Sequence, residues 1–251
     1  MSTPQARRAE QHLTDLAHPA GAEKEPAVQD ESFEARDVDE AVFLRVLAET
    51  VSSLEAAEIP HLWVGGIASS VLGRPRYTHD ADLFVFPHDA ERTLAALAGA
   101  GFRTQETDPH WLYKGMKDGV LIDVIFQSSG GIYLDDDMLA RAVAAEFKGI
   151  PLRLAAPEDL LVMKAAAHSE QAPRYWHDAL SIVSRPDLDW PYLMRRARHA
   201  SRRVLSLLVY AQSRDLAVPD AVIRVLFEEV YGSRTEGGEA WEQETESPKF
   251  T

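Results

Sequence analysis

Apolar positions along the first 160 residues change period several times. In DVDEAVFLRVLAETVSSLEAAEI, from Asp37, Val42, Phe43, Val46, Leu47, Val51 and Leu54 recur at helical spacing, and acidic residues fill the first turn. HLWVGG is short, apolar and closed by glycines, which reads as a strand. IASSVLG reads as a short helix stopping at Gly73. DADLFVF then enters an unbroken apolar run, as a buried strand does, and Pro87 stops it. HDAERTLAALAGAG follows as a helix with a glycine end. WLYKGM and VLIDVIF read as two strands joined by the turn KDG, DDDMLARAVAAEF as a helix, and IPLRLAA as another strand.

After Pro157 the strand signals stop. PEDLLVMKAAAHSEQ, PRYWHDALSIV, DWPYLMRRARHA, RRVLSLLVYAQSR and PDAVIRVLFEEVYG all read as helices. The expected organisation has four parts. Residues 1–36, polar and rich in Pro, Ala and Glu, form a disordered N-terminal segment. Residues 37–156 form an α/β (α+β) domain, 157–232 an all-α C-terminal domain, and 233–251 a disordered acidic tail.

Composition narrows the chemistry. The 251 residues include no cysteine, which removes disulfides, thiolate metal sites and a cysteine nucleophile. No apolar run reaches the roughly 18 residues of a membrane helix, and the first residues lack the apolar core of a signal peptide. The expected location is the cytoplasm. A formal net charge of −14 argues against a general nucleic-acid binder. The charge is uneven, however: RRARHASRRVLSLLVYAQSR, Arg195 to Arg214, is basic, either as a solvated helix face or as a cationic surface.

The chemistry gathers on a few residues. Asp80 and Asp82 are one pleat repeat apart, so both leave the same face of their strand. Like charges that close repel, and one takes up a proton unless a cation compensates. Paired oxygens suit Mg²⁺, with Mn²⁺ as the alternative ion, and substrate phosphates complete such a site. A bare DxD is also an ordinary turn or capping pair. Asp123 shifts that balance, because VLIDVIF surrounds it with apolar residues, where a charge is costly unless paired or metal-bound. If its strand lies beside DADLFVF, three carboxylates converge, enough for one or two metals and an attacking hydroxyl. Asp123 would then be the general base or share a metal that acidifies the nucleophile. The competing reading is a buried aspartate bonded to a backbone amide or an arginine. Gly65 and Gly66 close a strand and open a helix, where small residues let a phosphate approach backbone N–H groups and the positive helix end. Ser69 and Ser70 would add hydroxyl donors. No Walker loop, HExxH or GxSxG occurs in the chain.

VGGIASSVLGRPRYTHDADLFVF together with LIDVIF resembles the polymerase-β-like nucleotidyltransferase superfamily, and RYTHDADL is most similar to AbiEii-type nucleotidyltransferase toxins. The resemblance runs from about Ile59 to Ile182. It implies a small mixed sheet flanked by helices, followed by an all-α part. It also implies metal ions held by Asp80 and Asp82, with Asp123 activating the acceptor at the same metal site. An NTP would be bound by Gly65, Gly66 and Ser69 or Ser70. Arg76 and Thr78 stand where toxin-like members carry Arg and Thr. Lys164 matches a lysine that such members place after the sheet, its stem buried and its ammonium aimed at phosphates, or simply snorkelling. Arg174 and Asp178 match a basic–acidic pair on the next helix, equally readable as a structural ion pair. The chain departs from the pattern at His177, often Lys, and at Ser181, where an acid is usual.

The activity so implied is Mg²⁺-dependent transfer of an NMP from an NTP to an acceptor hydroxyl. The acceptor would be RNA such as tRNA, or a protein, with a cognate antitoxin as partner. The alternatives are a small-molecule acceptor such as an antibiotic, and a non-catalytic nucleotide-binding or interaction module. Neither a membrane nor DNA is expected as a partner. His79, His110, Trp111, Tyr113 and the acidic run from Asp135 read as bystanders, packing residues and a helix start.

Overall fold

A computed structural model describes residues 33–232. The expectations of disorder for 1–36 and 233–251 fall outside the described residues, except at 33–36. There the chain lies against the turn that ends at Gly119, with Arg36 N–H donating to its carbonyl at 3.0 Å.

The chain begins with α1, Glu40–Ala56, which buries Phe43, Val46, Leu47, Val51 and Leu54, the stripe visible in the sequence. Seven strands follow: β1 His61–Trp63, β2 Asp80–Val85, β3 Arg103–Asp108, β4 Leu112–Lys117, β5 Val120–Ile125, β6 Val143–Phe147 and β7 Ile150–Leu154. They form one mixed sheet in the order β3-β4-β5-β2-β1-β7-β6. β2 pairs with β5 and β1 with β7 in parallel; the other neighbours are antiparallel. β2 and β5 lie inside this order, which explains why LFV and VLI are apolar on both faces. Leu83, Phe84, Ile122 and Val124 are fully buried, and cutting one large side chain among them to Ala would cost about 2–5 kcal/mol.

Two hairpin turns set the register. Asp118 (φ 49°) and Gly119 (φ 83°) join β4 to β5, and Lys148 (φ 51°) and Gly149 (φ 87°) join β6 to β7. Positive φ at both central residues is the twist a two-residue hairpin needs. The second turn corrects the sequence reading of DDDMLARAVAAEF. Only Asp136–Ala140 is helical (α4), while Val143–Phe147 is strand β6, paired with β7. Alanine-rich residues carry little strand signal, and pairing across the turn overrides helix propensity there. β3 was not expected either: RTQETD has no apolar alternation, because it is a mostly exposed edge strand whose charges discourage further pairing.

The remaining helices beside the sheet are α2, Gly65–Leu72, and α3, Ala90–Gly99. The C-terminal helices are α5 Pro157–Ala167, α6 Arg174–Val183, α7 Trp190–Ala197, α8 Ser201–Gln212 and α9 Asp220–Tyr231. α5 is buried almost all round and packs on α2, α6, α7 and α8. One apolar core runs from Phe43 in α1 to Leu226 in α9. Among the described residues no helix is long and apolar enough to cross a membrane.

Candidate functional site

The parallel pairing of β2 with β5 sets Asp82 opposite Asp123, with Asp80 one pleat repeat earlier on the same face. Oxygens of the three carboxylates lie within 4.8 Å of one another. Thr78 Oγ1 donates to Asp80 Oδ1 at 2.7 Å, and Gly66 N–H donates to Asp82 Oδ2 at 3.2 Å. Asp123 Oδ1 is buried with no hydrogen-bond partner among the described residues. No Lys or Arg nitrogen among them lies within ion-pairing distance of the three. Burial pushes the Asp123 carboxyl up to about 7, Asp82 and Asp80 add to the rise, and Lys114 opposes it. Burial and then Asp80 also raise Asp82, against Lys164, the Gly66 N–H and Arg76. A crowded carboxylate set with an unpartnered buried oxygen fits a hard divalent cation, which would relieve the repulsion and fill the open lone pair.

The two glycines serve this cluster directly. Gly65 has φ +59°, and a Cβ there would fall 1.7 Å from Asp82 Oδ2. A Cβ on Gly66 would fall 2.3 Å from Thr78 Oγ1. Their smallness is therefore required by the chain's own side chains before any phosphate is considered. Ser69 and Ser70 do not line the cavity described below. Ser69 Oγ donates to Gly65 O at 2.7 Å, and Ser70 Oγ accepts Arg76 N–H at 3.3 Å. They brace α2 and the segment leading to Thr78.

A cavity of about 370 Å³ opens beside the carboxylates. Gly65, Gly66, Arg76, Thr78, Asp80 and Asp82 line its sheet side, and Leu160, Met163, Lys164, Ala167, Arg174 and Tyr175 its helical side. Asp123 does not line this space itself but stands beside Asp82, which does. Asp178, 1% exposed, lies behind the wall and gathers two cations: Arg76 Nη2 at 3.2 Å and Lys164 Nζ at 3.5 Å from Oδ2. Lys164 also sits 4.7 Å from the Tyr175 ring centroid, with the Arg174 guanidinium 5.2 Å from the same ring. Burial lowers the Lys164 pKa, while Asp82 and Asp178 pull it back up. Arg174 does not touch Asp178; the ion pair of that acid is with Arg76 and Lys164 instead. Ser181 Oγ donates to Asp178 O at 2.7 Å, and a Cβ on Gly73 would fall 2.3 Å from Ser181 Oγ. A larger acid at position 181 would meet the same crowding. Asp135 caps α4, accepting Met138 N–H at 2.9 Å, as an acidic helix start should.

Sequence reading missed Lys114, Ser128 and Tyr175. Lys114 stands opposite Asp123 on β4, and the Asp118-Gly119 turn was a usable signal. Once Lys117 faces Val120, Lys114 must face Asp123. Ser128 and Tyr175 line the cavity through long-range packing that no local pattern marks.

A family model described as nucleotidyl transferase of unknown function (DUF2204) matches residues 43–189, a span that holds every candidate residue above. No match is found among curated proteins. The antibiotic-resistance factor ANT(2'')-Ia, solved in solution, is 16% identical, with 82% of this chain and 100% of that one covered and a TM-score of 0.43. An antigenic nucleotidyltransferase-like protein from Paracoccidioides brasiliensis is 17% identical over 73% of this chain and 93% of its own, with a TM-score of 0.46. The nucleotidyltransferase toxin MenT4 from Mycobacterium tuberculosis is 13% identical over 71% of this chain and 68% of its own, with a TM-score of 0.38.

Proposed function

The chain belongs to the nucleotidyl transferase family of unknown function (DUF2204), and we propose that it moves a nucleoside monophosphate from an NTP to an acceptor hydroxyl, releasing pyrophosphate. The observation that carries this reading is the carboxylate cluster, three acids within 4.8 Å and without an ion-pair partner among the described residues, at the edge of a nucleotide-sized cavity. Asp80, Asp82 and Asp123 would hold Mg²⁺ or Mn²⁺. The bound ion supplies charge neutralisation on the triphosphate and polarises its phosphorus–oxygen bonds.

The chain's own residues do the rest. Thr78 keeps the Asp80 carboxylate oriented, and the Gly66 N–H does the same for Asp82. Arg76 and Lys164, held by Asp178, offer positive charge to the triphosphate from the helical side. The acceptor oxygen attacks the α-phosphorus and its proton passes to Asp123. The bond from the α-phosphorus to the bridging oxygen breaks, and pyrophosphate leaves with the electron pair. Holding both reactants in one cavity lowers the entropic part of the barrier. In this reading residues 37–156 are the nucleotidyltransferase domain and 157–232 a helical domain that closes the cavity. The reaction takes place in the cytoplasm.

The test is incubation with each α-labelled NTP and Mg²⁺, offering RNA, protein and an antibiotic panel in turn. Label on one acceptor class, matched by pyrophosphate and lost in folded Asp82→Asn, is the expected result. NTP binding without pyrophosphate release on any acceptor would replace the proposal with a binding module. A toxin role with a cognate antitoxin belongs to the same reading. It requires growth arrest by the wild type and none by Asp82→Asn.

A further inference from the structure

The face of the sheet away from the carboxylates holds a second cavity, of about 700 Å³. Trp63 pairs with Leu83 on β2, so Asp82, the residue before Leu83, projects from the opposite face. Trp63 is level with Leu154 on β7, which sets His61 level with Leu152, and Leu152 pairs with Ala145 on β6. His61, Trp63, Leu152 and Ala145 therefore share a face, and with Val51 and Leu54 of α1 they line the cavity. The volume is that of a small-molecule site.

The chain leaves two features of this cavity incomplete. Trp63 is fully buried, yet its Nε1–H has no hydrogen-bond partner among the described residues. A buried indole N–H ordinarily finds an acceptor. At the rim, Glu55, Glu58 and Glu146 form no ion pair among the described residues. Glu55 and Glu58 stand at the C-terminal end of α1, where the helix dipole is already negative and the last turn has no basic residue. Such an end favours cations, and this one gathers acids. Arg153, the one Lys or Arg of the lining, donates to Leu139 O at 3.0 Å. His61 adds an acceptor. Its Nδ1 lies 2.8 Å from Ile59 O, and a carbonyl only accepts, so Nδ1 carries the proton. Burial lowers the His61 pKa against the pull of that bond, so the ring is neutral at about pH 7 and Nε2 bears a lone pair.

We propose that this cavity binds a small organic ammonium ion with an apolar body and a neutral oxygen acceptor, at a site separate from the carboxylate cluster. The body would lie on Val51, Leu54 and Leu152. The oxygen would accept from Trp63 Nε1–H, and the ammonium would face Glu55, Glu58 and the end of α1. Other ligand chemistries fit worse. An anion meets three carboxylates, and a plain hydrocarbon leaves the buried indole N–H unpaired. The assignment does not depend on nucleotidyl transfer.

The probe is L-leucinamide, which joins an ammonium, a carboxamide oxygen and an isobutyl group. It is titrated into the full chain at about pH 7, where its amine is mostly protonated. The readout is the indole N–H resonances of the five tryptophans, with that of Trp63 identified by its loss in Trp63→Phe. Leucinamide should shift the Trp63 resonance with the millimolar affinity of so small a ligand. Isopentylamine, which lacks the oxygen, should bind about 2- to 12-fold more weakly. Isocaproamide, which lacks the ammonium, should also bind more weakly. Combining Glu55→Gln with Glu58→Gln should weaken leucinamide about fivefold, leave isocaproamide binding unchanged and keep the melting temperature. Saturating Mg²⁺ and ATP should leave the leucinamide shift in place, because the two cavities lie on opposite faces of the sheet. An unmoved Trp63 resonance, an equal response to either truncated probe, or equal leucinamide affinity in the double variant would overturn the inference. Displacement of leucinamide by ATP would overturn it too, by putting the probe in the carboxylate cavity.

Discussion

Two groups of acids in this molecule have opposite surroundings. Where the helical part meets α4, Asp135, Asp159 and Asp189 are each neutralised by the fold. Arg196 reaches Asp135 Oδ2 at 2.6 Å and Asp159 Oδ1 at 2.7 Å, the second an ion pair by distance although not aligned as a hydrogen bond. Tyr192 donates to Asp159 Oδ2 at 2.7 Å, and Arg141 pairs with Asp189 at 2.9 Å. Burial still raises the Asp159 carboxyl to about 6, but Tyr192 and Arg196 oppose that rise. Around Asp123 the two neighbouring acids, Asp82 and Asp80, reinforce it, and only Lys114 opposes it. The first group is complete within the chain. The second keeps a repulsion that Lys114, Lys164 and Arg76 offset from a distance without an ion pair among the described residues, and a bound cation would relieve it.

The contrast can be broken by substitution, and the largest effect should come from Asp82→Asn. Transfer should drop by at least about 10²–10³-fold, as when preorganised charge stabilisation is lost. The melting temperature in metal-free buffer should hold or rise, because a repelling charge is gone. A falling melting temperature with activity kept would reverse the roles of the two groups. Next is Arg196→Met, which leaves Asp159 buried with only the Tyr192 hydroxyl and no ion-pair partner, and should cost about 3–5 kcal/mol in denaturant unfolding. Molecules that remain folded should bind NTP normally. Gly65→Ala comes third: strained φ and a clash with Asp82 should cost about 1–3 kcal/mol and displace the carboxylate, so divalent-ion affinity should fall with stability. The smallest effect belongs to Lys164→Met, which should raise KM for NTP about tenfold by removing one charged contact, with stability little changed. A loss of stability as large as that of Arg196→Met would make Lys164 structural.

Much of this arrangement was legible in the sequence, for identifiable reasons. The carboxylate cluster follows from period-2 geometry, a buried-strand pattern around Asp123 and one assumption, that β2 and β5 are neighbours. The glycines were legible as close-approach positions, but their reason differs from the expected one. They clear room for Asp82 and Thr78, a contact across 16 residues that no local pattern shows for Gly66 and Asp82. Ser69 and Ser70 were expected to face the cavity and instead bond locally, as short hydroxyls on helices often do. β6 was hidden by alanine and revealed only by pairing across Lys148-Gly149. The contact of the Trp176 ring with that of Tyr210 depends on how α6 crosses α8, which hydrophobic periodicity does not encode.

The most direct test of the central claim, that Asp80, Asp82 and Asp123 are left unpaired to hold a divalent ion beside an NTP, is Mn²⁺ binding by electron paramagnetic resonance. It would be measured on wild type, Asp82→Asn and Asp123→Asn, with and without an NTP analogue that cannot be cleaved between the α- and β-phosphates. The account predicts stoichiometric Mn²⁺ in the wild type, tightened by the nucleotide and lost in both variants. Equal Mn²⁺ affinity in all three proteins, or none in the wild type with nucleotide bound, would contradict it.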